Sequence, residues 1–318
     1  MKAAFRSRYG TPETLRVIEV PRPIPKRNQL LIQVHAATVN RTDCAILSGK
    51  PFAMRFFTGL KSPKRKITGT DFAGIVVAIG QEVSRVAVGD RIWGFRGFGL
   101  KSHAQYLCLP ETSPLSPIPD NISFERAAAC AEGGVYALDA IEMLGPRKGQ
   151  EALVNGATGA IGSAMVQILK YYGLDVTAVC AGKHAGQVQA LGADRIVDYT
   201  LDDFTRDNHL YDFVFDAVGK SSFRAAIPIL KKNGVYTSSE PNFLEVMAGL
   251  FRSGKKEKFR PPTKLDERLL FLRNLLEKGH LKPLTDRTYT LDKIADAYSY
   301  VAKGEKVGAV LVSIDHGT

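Results

Sequence analysis

Through the first third of the chain, apolar residues fall in short runs bounded by Gly, Pro and Asp. The runs at 30–34, 74–79 and 104–109 have strand length and turn residues at both ends, which predicts a β-rich, barrel-like domain. From about Ser123 the pattern becomes an alternation of helical and strand periods. It predicts a helix over 124–144, a strand at 152–155, a helix over 160–172, a strand at 176–180 and a helix near 187–191. Strands at 195–197, 213–215 and 233–237 follow. Repeated βαβ units imply a parallel sheet covered on both faces. After Pro261 and Pro262 the pattern predicts an amphipathic helix over 265–278, another over 291–302, and a final strand over 307–314 that rejoins the first domain. The fold class is therefore α/β, with expected domains at 1–122, 123–260 and 261–318.

One junction in this pattern carries chemistry. The strand Leu153-Val154-Asn155 runs into Gly156-Ala157-Thr158-Gly159-Ala160-Ile161-Gly162 and then into a helix. A turn with so little side-chain bulk lets phosphate approach the backbone, and the helix behind it aims unpaired N–H groups and a positive dipole end at an anion. The last glycine lets helix and sheet pack closely. A dinucleotide pyrophosphate is the expected ligand. Chains that select NAD end the next strand with an acid, which bonds the ribose hydroxyls. Here no Asp or Glu occurs from Val176 to Ala193, and the strand leads to Lys183. A neutral loop followed by a cation suits a 2'-phosphate, so the expected cofactor is NADP(H).

Composition narrows the class without naming a reaction. The 318 residues are 45% hydrophobic and 24% charged, the balance of a soluble globular protein. No run reaches the roughly 18 apolar residues of a membrane span, and the cytosol is the expected address. Cys44, Cys108, Cys130 and Cys180 are far apart and read as reduced thiols. The net charge of +11 suits a phosphate-bearing ligand, and the basic, aromatic 50–66 stretch reads as a solvated loop, with membrane contact not favoured and no nucleic acid expected.

Five motifs in order complete the picture: Thr38-Val39-Asn40-Arg41-Thr42-Asp43, Gly69-Thr70-Asp71-Phe72-Ala73-Gly74, Gly89-Asp90-Arg91-Ile92-Trp93-Gly94-Phe95, the glycine turn, and Phe215-Asp216-Ala217-Val218-Gly219. With them the chain resembles the medium-chain dehydrogenase/reductases, specifically their zinc-free quinone oxidoreductase branch. The resemblance implies a GroES-like β-barrel domain, a Rossmann domain and a nicotinamide in the cleft between them. It places Asn40 at the nicotinamide end, Lys183 and Tyr199 at the 2'-phosphate end, and Val218, Gly219, Ser238 and Ser239 along the nicotinamide ribose. A homodimer built by sheet extension is also implied.

Zinc relatives hold their catalytic metal on three side chains. The matching positions here are Asn40, Thr70 and one near Cys130, a poor zinc set. Without a Lewis acid, the expected reaction is hydride transfer to a quinone or an α,β-unsaturated carbonyl. Asn40 is the expected hydrogen-bond donor to the developing oxyanion. Asp43 and Asp71 are candidates for proton transfer should burial raise their pKa, and both also read as structural; Glu132 is a further candidate. The tyrosine that bacterial relatives carry shortly after Asn-x-x-Asp is missing from 44–52. Phe243, Met247, Leu250 and Phe251 are candidates to wall an apolar pocket, or to be helix core. Two other readings stay open: an NADP-dependent alcohol dehydrogenase, and a non-catalytic NADPH sensor docking its 50–66 segment on anionic membrane or RNA.

Overall fold

The computed structural model describes residues 1–52, 54–249 and 254–316, with Phe243 described by its backbone alone. In chain order, strands β1 (Lys2–Phe5), β2 (Arg16–Glu19) and β3 (Gln29–Val39) lead to helices α1 (Arg41–Ser48) and α2 (Met54–Thr58). Strands β4 (Asp71–Ile79), β5 (Arg91–Phe95), β6 (Tyr106–Pro110) and β7 (Leu115–Pro117) precede the long helix α3 (Phe124–Leu144). Then β8 (Glu151–Asn155), α4 (Ala160–Tyr171), β9 (Asp175–Cys180), α5 (Ala185–Gln189), β10 (Arg195–Asp198) and β11 (Tyr211–Asp216) alternate. They are followed by α6 (Phe223–Ala226), β12 (Leu230–Ser238), α7 (Phe243–Gly249) and β13 (Lys256–Glu257). The chain ends with α8 (Leu265–Glu277), β14 (Thr285–Thr290), α9 (Ile294–Lys303) and β15 (Ala309–Ser313). No helix among the described residues is long and apolar enough to cross a membrane.

The chain folds as two compact units. The first comprises Met1–Glu132, Leu265–Glu277 and Thr285–Thr318; the second comprises Gly133–Lys264 and Lys278–Leu284. The division falls inside α3, ten residues beyond the boundary expected at 122/123, because one continuous helix contributes its first turns to one core and its later turns to the other. Similarly, 278–284 packs with the second unit, where Lys282 bonds to Gln167 in both directions, instead of with the returning segment.

In the first unit β14, β15, β3, β4, β5 and β7 form one sheet path, with β6 also paired to β3. Strand β3 serves three neighbours: β4 along one side, and β6 and β15 along successive halves of the other. That is why its sequence is apolar almost throughout instead of alternating. Leu30, Ile32, Val34, Phe72 and Val310 meet Ile294, Tyr298 and Val301 of α9 in the core, so α9 and β15 are integral to this unit.

The second unit holds a parallel sheet of strand order β10-β9-β8-β11-β12-β13. Numbered from β8, this is 3-2-1-4-5-6, the doubly wound order whose direction reverses between β8 and β11; ligands bind beyond the carboxyl ends of the strands at such a point. Leu153, Val179, Val214 and Tyr236 supply its core. The residues Leu250 and Phe251, candidates for a pocket wall, lie outside the described residues, and Met247 is exposed on α7.

Candidate functional site

Each unit presents one group of residues that sequence reasoning singled out. In the second unit, the turn after β8 is built by steric permission. Gly156 has φ +80°, and a Cβ there would stand 2.4 Å from Val218 Cγ1. A Cβ on Gly162 would meet Gly156 O at 2.2 Å, so this glycine is what brings the first turn of α4 against the turn. Gly156 and Ala157 both donate their N–H to Val179 O, at 3.2 and 3.1 Å, and Gly159 donates to Gly156 O at 3.0 Å. Gly159 is the extended residue before α4, so Ala160, Ile161 and Gly162 form the helix's first turn, whose N–H groups lack intrahelical acceptors. Thr158 lies at the turn's outer corner. Gly133 of α3 completes the packing: a Cβ there would meet Ala160 O at 2.6 Å. The cradle fits a pyrophosphate by backbone and dipole alone.

Beside it, Asn155 Nδ2 donates to Asp216 Oδ1 at 3.0 Å, linking the carboxyl ends of β8 and β11 at the reversal point. Asp216 is buried, and it also accepts from the N–H groups of Val218 (3.2 Å), Gly219 (3.0 Å) and Ser221 (2.8 Å) and from the Tyr236 hydroxyl (3.1 Å). One carboxylate therefore shapes the loop bearing Val218 and Gly219, and its backbone oxygen receives Ser239 N at 2.9 Å. Ser238, buried at the end of β12, accepts from Glu240 N at 3.1 Å. Sequence reading quoted Asp216 inside a motif without its role; a polar residue closing an apolar strand was the available signal.

Lys183 and Tyr199 follow the adjacent, paired ends of β9 and β10, where Cys180 and Asp198 are register partners, and both side chains are exposed. The loop is acid-free in sequence, but the fold brings Asp198 against it: a Cβ on Gly182 would stand 2.2 Å from Asp198 Oδ2. That carboxylate is engaged locally. It accepts from Thr200 N (2.9 Å) and Thr200 Oγ1 (2.7 Å), and these bonds, with one from the Gly182 backbone, hold its pKa down.

The first unit builds a different kind of site, a buried cluster of acids bridged by hydroxyls. Asn40 is the extended residue that opens α1, and its N–H donates to Asp43 Oδ2 at 2.9 Å. Thr70 Oγ1 lies 3.1 Å from both Asp43 Oδ2 and Glu132 Oε2, and Thr42 Oγ1 donates to Glu132 Oε1 at 2.7 Å. Asp71 accepts from Thr38 N (2.7 Å), from the Thr38 hydroxyl, and from Asn40 Nδ2 at 3.0 Å. Asn40 Nδ2 also donates to Thr38 Oγ1 at 2.7 Å. The amide nitrogen expected to meet an oxyanion thus already lies within hydrogen-bond reach of Thr38 and Asp71 inside the protein.

Burial of three carboxyls within one bonded set moves their titration upward. Desolvation carries Asp71 to about 8 against the hydrogen bonds from Thr38. It carries Glu132 to about 7 against those from Thr42 and Thr70. Asp43 is also pushed well up, by burial first and then by Glu132 and Asp71. Burial pulls Lys306 down to about 8, against the attraction of Glu132.

Cys130, read near the third position of the zinc relatives, does not join the cluster; Glu132 does. Cys130 and Glu132 are two residues apart on α3, about 200° around the helix, so they face opposite ways. Glu132 points into the cluster, whereas Cys130 is packed in apolar surroundings that push its thiol pKa up. Thr42, half-buried, is the cluster's nearest hydroxyl to the surface. Sequence reading passed over it because a threonine in a helix's first turn has many ordinary uses.

Comparison with known proteins decides the family. Residues 26–120 match the family described as Alcohol dehydrogenase GroES-like domain, and 191–312 the one described as Zinc-binding dehydrogenase. The 2-methylene-furan-3-one reductase of Solanum lycopersicum is 30% identical over 98% of this chain and 79% of its own. The chain belongs to the quinone-oxidoreductase-like medium-chain dehydrogenase/reductase family. Another member, the NADPH-dependent alkenal/one oxidoreductase, chloroplastic, of Arabidopsis thaliana, is 29% identical over 98% of this chain and 79% of its own. The solved quinone oxidoreductase of Coxiella burnetii superposes with a TM-score of 0.86 at 26% identity, covering 99% of both chains. A GroES-like domain plus a Rossmann-type parallel sheet is thus the architecture.

Proposed function

We propose that this protein is a zinc-independent, NADPH-dependent oxidoreductase that reduces quinones or α,β-unsaturated carbonyls. The observation that carries this reading is the pair of sites: a backbone cradle for a pyrophosphate followed by Lys183, and a first-unit cluster in which Asn40 and Thr70, the positions matched to two zinc ligands, lie bonded with Asp71 and Glu132. Related enzymes that reduce alkenals, enones and quinones support the same activity. An amide, a hydroxyl and one carboxyl make a weak zinc set, and here both Glu132 oxygens already lie within hydrogen-bond distance of Thr42 and Thr70. Bound NADPH supplies the hydride.

Gly156 to Gly162 hold the pyrophosphate, Lys183 and Tyr199 hold the 2'-phosphate adenosine end, and Val218, Gly219, Ser238 and Ser239 form the loops beside the ribose. In the first unit Asn40 and Asp43 are positioning residues. Asn40 ties Asp71 to Thr38, and Asp43 fixes the start of α1 and Thr70. The proton that completes reduction comes from Glu132 by way of Thr42. With Glu132 protonated, the 2.7 Å bond runs the other way, from its carboxyl to Thr42 Oγ1; the Thr42 hydroxyl, freed to face the substrate, gives its hydrogen to the enolate or quinolate oxygen as it takes the Glu132 proton, and the Glu132 carboxylate regains a proton from solvent. The protein acts in the cytoplasm as a homodimer extended from the edge strand β13.

Steady-state rates with NADPH and NADH against quinones, enones and alcohols, with metal analysis and chelation, test this reading. NADPH-dependent reduction insensitive to chelator is expected. Stoichiometric zinc with chelator-sensitive alcohol oxidation overturns it, and size-exclusion light scattering reporting a monomer removes the dimer.

A further inference from the structure

Apart from the acid cluster, the first unit carries a second concentration of side chains, on the segments 50–66 and 96–101. Between Asp43 and Asp71 the chain has no acidic residue and carries Lys50, Arg55, Lys61, Lys64, Arg65 and Lys66. A second acid-free stretch, between Asp90 and Glu111, includes Arg96 and Lys101. The fold brings the two together. Arg65 Nη1 donates to Phe98 O at 2.9 Å, and the Phe57 and Phe98 rings stack with centroids 4.8 Å apart. Burial and then the neighbouring Arg96 lower the Arg65 pKa, with no acid opposing them. Among the described residues, none of these eight cations forms an ion pair.

In the same stretches large apolar side chains stand open to solvent. Phe52 and Phe56 are each 63% exposed, Phe57 60%, Leu60 54% and Phe98 42%. Single exposed apolar residues are ordinary, but five on two adjoining segments mark a surface that something covers.

We propose that this face docks on an anionic lipid surface, with the phenylalanines and Leu60 entering the boundary between headgroups and acyl chains while the surrounding lysines meet lipid phosphates. Charge selects against the alternative of a second copy, since an isologous contact would set one acid-free cationic face on another. Ring geometry selects against a single-stranded nucleic acid, which needs aromatic faces free for bases. Here Phe57 and Phe98 each give one face to the other, Phe52 meets Phe56 edge-on at 5.9 Å, and Leu60 has no face to stack. The docking surface stands independently of the catalytic reading, so an inactive protein that binds vesicles, or an active one that does not, separates the two.

The test is co-sedimentation of the full chain with vesicles of phosphatidylcholine alone or mixed with phosphatidylglycerol. Binding is expected to the mixed vesicles only and to weaken as salt rises. Lys61→Glu with Lys64→Glu should reduce it roughly tenfold or more. The charge-matched Lys232→Glu with Lys278→Glu, also at exposed lysines, should leave it near wild type. Phe52→Ser with Phe56→Ser should also weaken it, with the melting temperature confirming a folded protein. Because Trp93, the only tryptophan, is buried, a Phe56→Trp variant gives an independent signal, a blue shift on adding mixed vesicles. No binding at low salt overturns the proposal, as does equal loss in both charge variants. Binding to single-stranded RNA but not to vesicles overturns it in favour of nucleic acid. If the serine variant lost turnover of a water-soluble quinone while binding vesicles normally, the aromatic face would belong to the substrate instead.

Discussion

The glycine turn of the second unit and the acid cluster of the first make their chemistry by opposite means. In the turn, side chains are removed: Gly156 and Gly162 leave room that any Cβ would fill, and backbone N–H groups do the binding. In the cluster, side chains do everything: three carboxyls and three threonine hydroxyls from β3, α1, the start of β4 and α3 are tied into one hydrogen-bonded set. A backbone site needs only local sequence, because strand, turn and helix are consecutive. A side-chain site assembled from segments up to 90 residues apart depends on where the fold carries each segment.

That contrast orders the ways to break the molecule. The largest effect is expected from Gly162→Val, whose side chain would collide with Gly156 O. NADPH binding followed by cofactor fluorescence should be lost, with stability lowered by about 3 kcal/mol. Native affinity in this variant would mean that the turn does not hold the cofactor. Next comes Glu132→Gln, which keeps the shape and removes the transferable proton. Turnover should fall about 100-fold while NADPH affinity stays unchanged. The wild-type rate should decline above about pH 7 as Glu132 ionises, and that limb should vanish in the variant and in Thr42→Val. An unchanged pH profile in both would place the proton donor elsewhere.

Lys183→Glu should weaken NADPH by roughly 10- to 100-fold, the worth of one charge-assisted hydrogen bond, and leave NADH nearly untouched. Equal effects on the two cofactors would remove the 2'-phosphate role. The smallest effect concerns stability. Asp71, held near pKa 8 when folded, keeps a proton that the unfolded chain releases near pH 4, so its contribution is complete below about pH 4 and is lost as pH rises towards 8. The melting temperature should therefore fall between pH 5 and pH 8, and Asp71→Asn should flatten that fall. A wild-type melting temperature that rises over this range would show the cluster to be charged.

Most of the second unit was legible in the sequence. The helix expected over 160–172 differs from α4 by one residue at its end, and α3, shared by the two units, spans the expected 124–144; in the first unit α8 ends one residue short of the expected 265–278. The first unit was less so: β1, β2, β5, β7 and β14 are short or mixed in polarity and were passed over as strands. Among site residues, Asn40, Asp43, Thr70 and Asp71 were singled out by motif and lie together, but the choice between Cys130 and Glu132 was not available. Two residues on one helix are adjacent in sequence and opposed in space, and only packing says which face turns inward.

By itself, then, the sequence determined most of the helices, the βαβ alternation of a parallel sheet and a phosphate cradle, because each is read from neighbours in the chain. Tertiary structure alone decided the sheet order that sets β8 beside β11, that Glu132 and not Cys130 joins the acid cluster, that Asn40's amide nitrogen bonds within that cluster, that Asp198 closes on the loop before Lys183, and that two acid-free stretches merge into one basic, aromatic face. Each of those outcomes depends on which distant segments come to lie side by side, and burial then sets the charge state and exposure of what they bring.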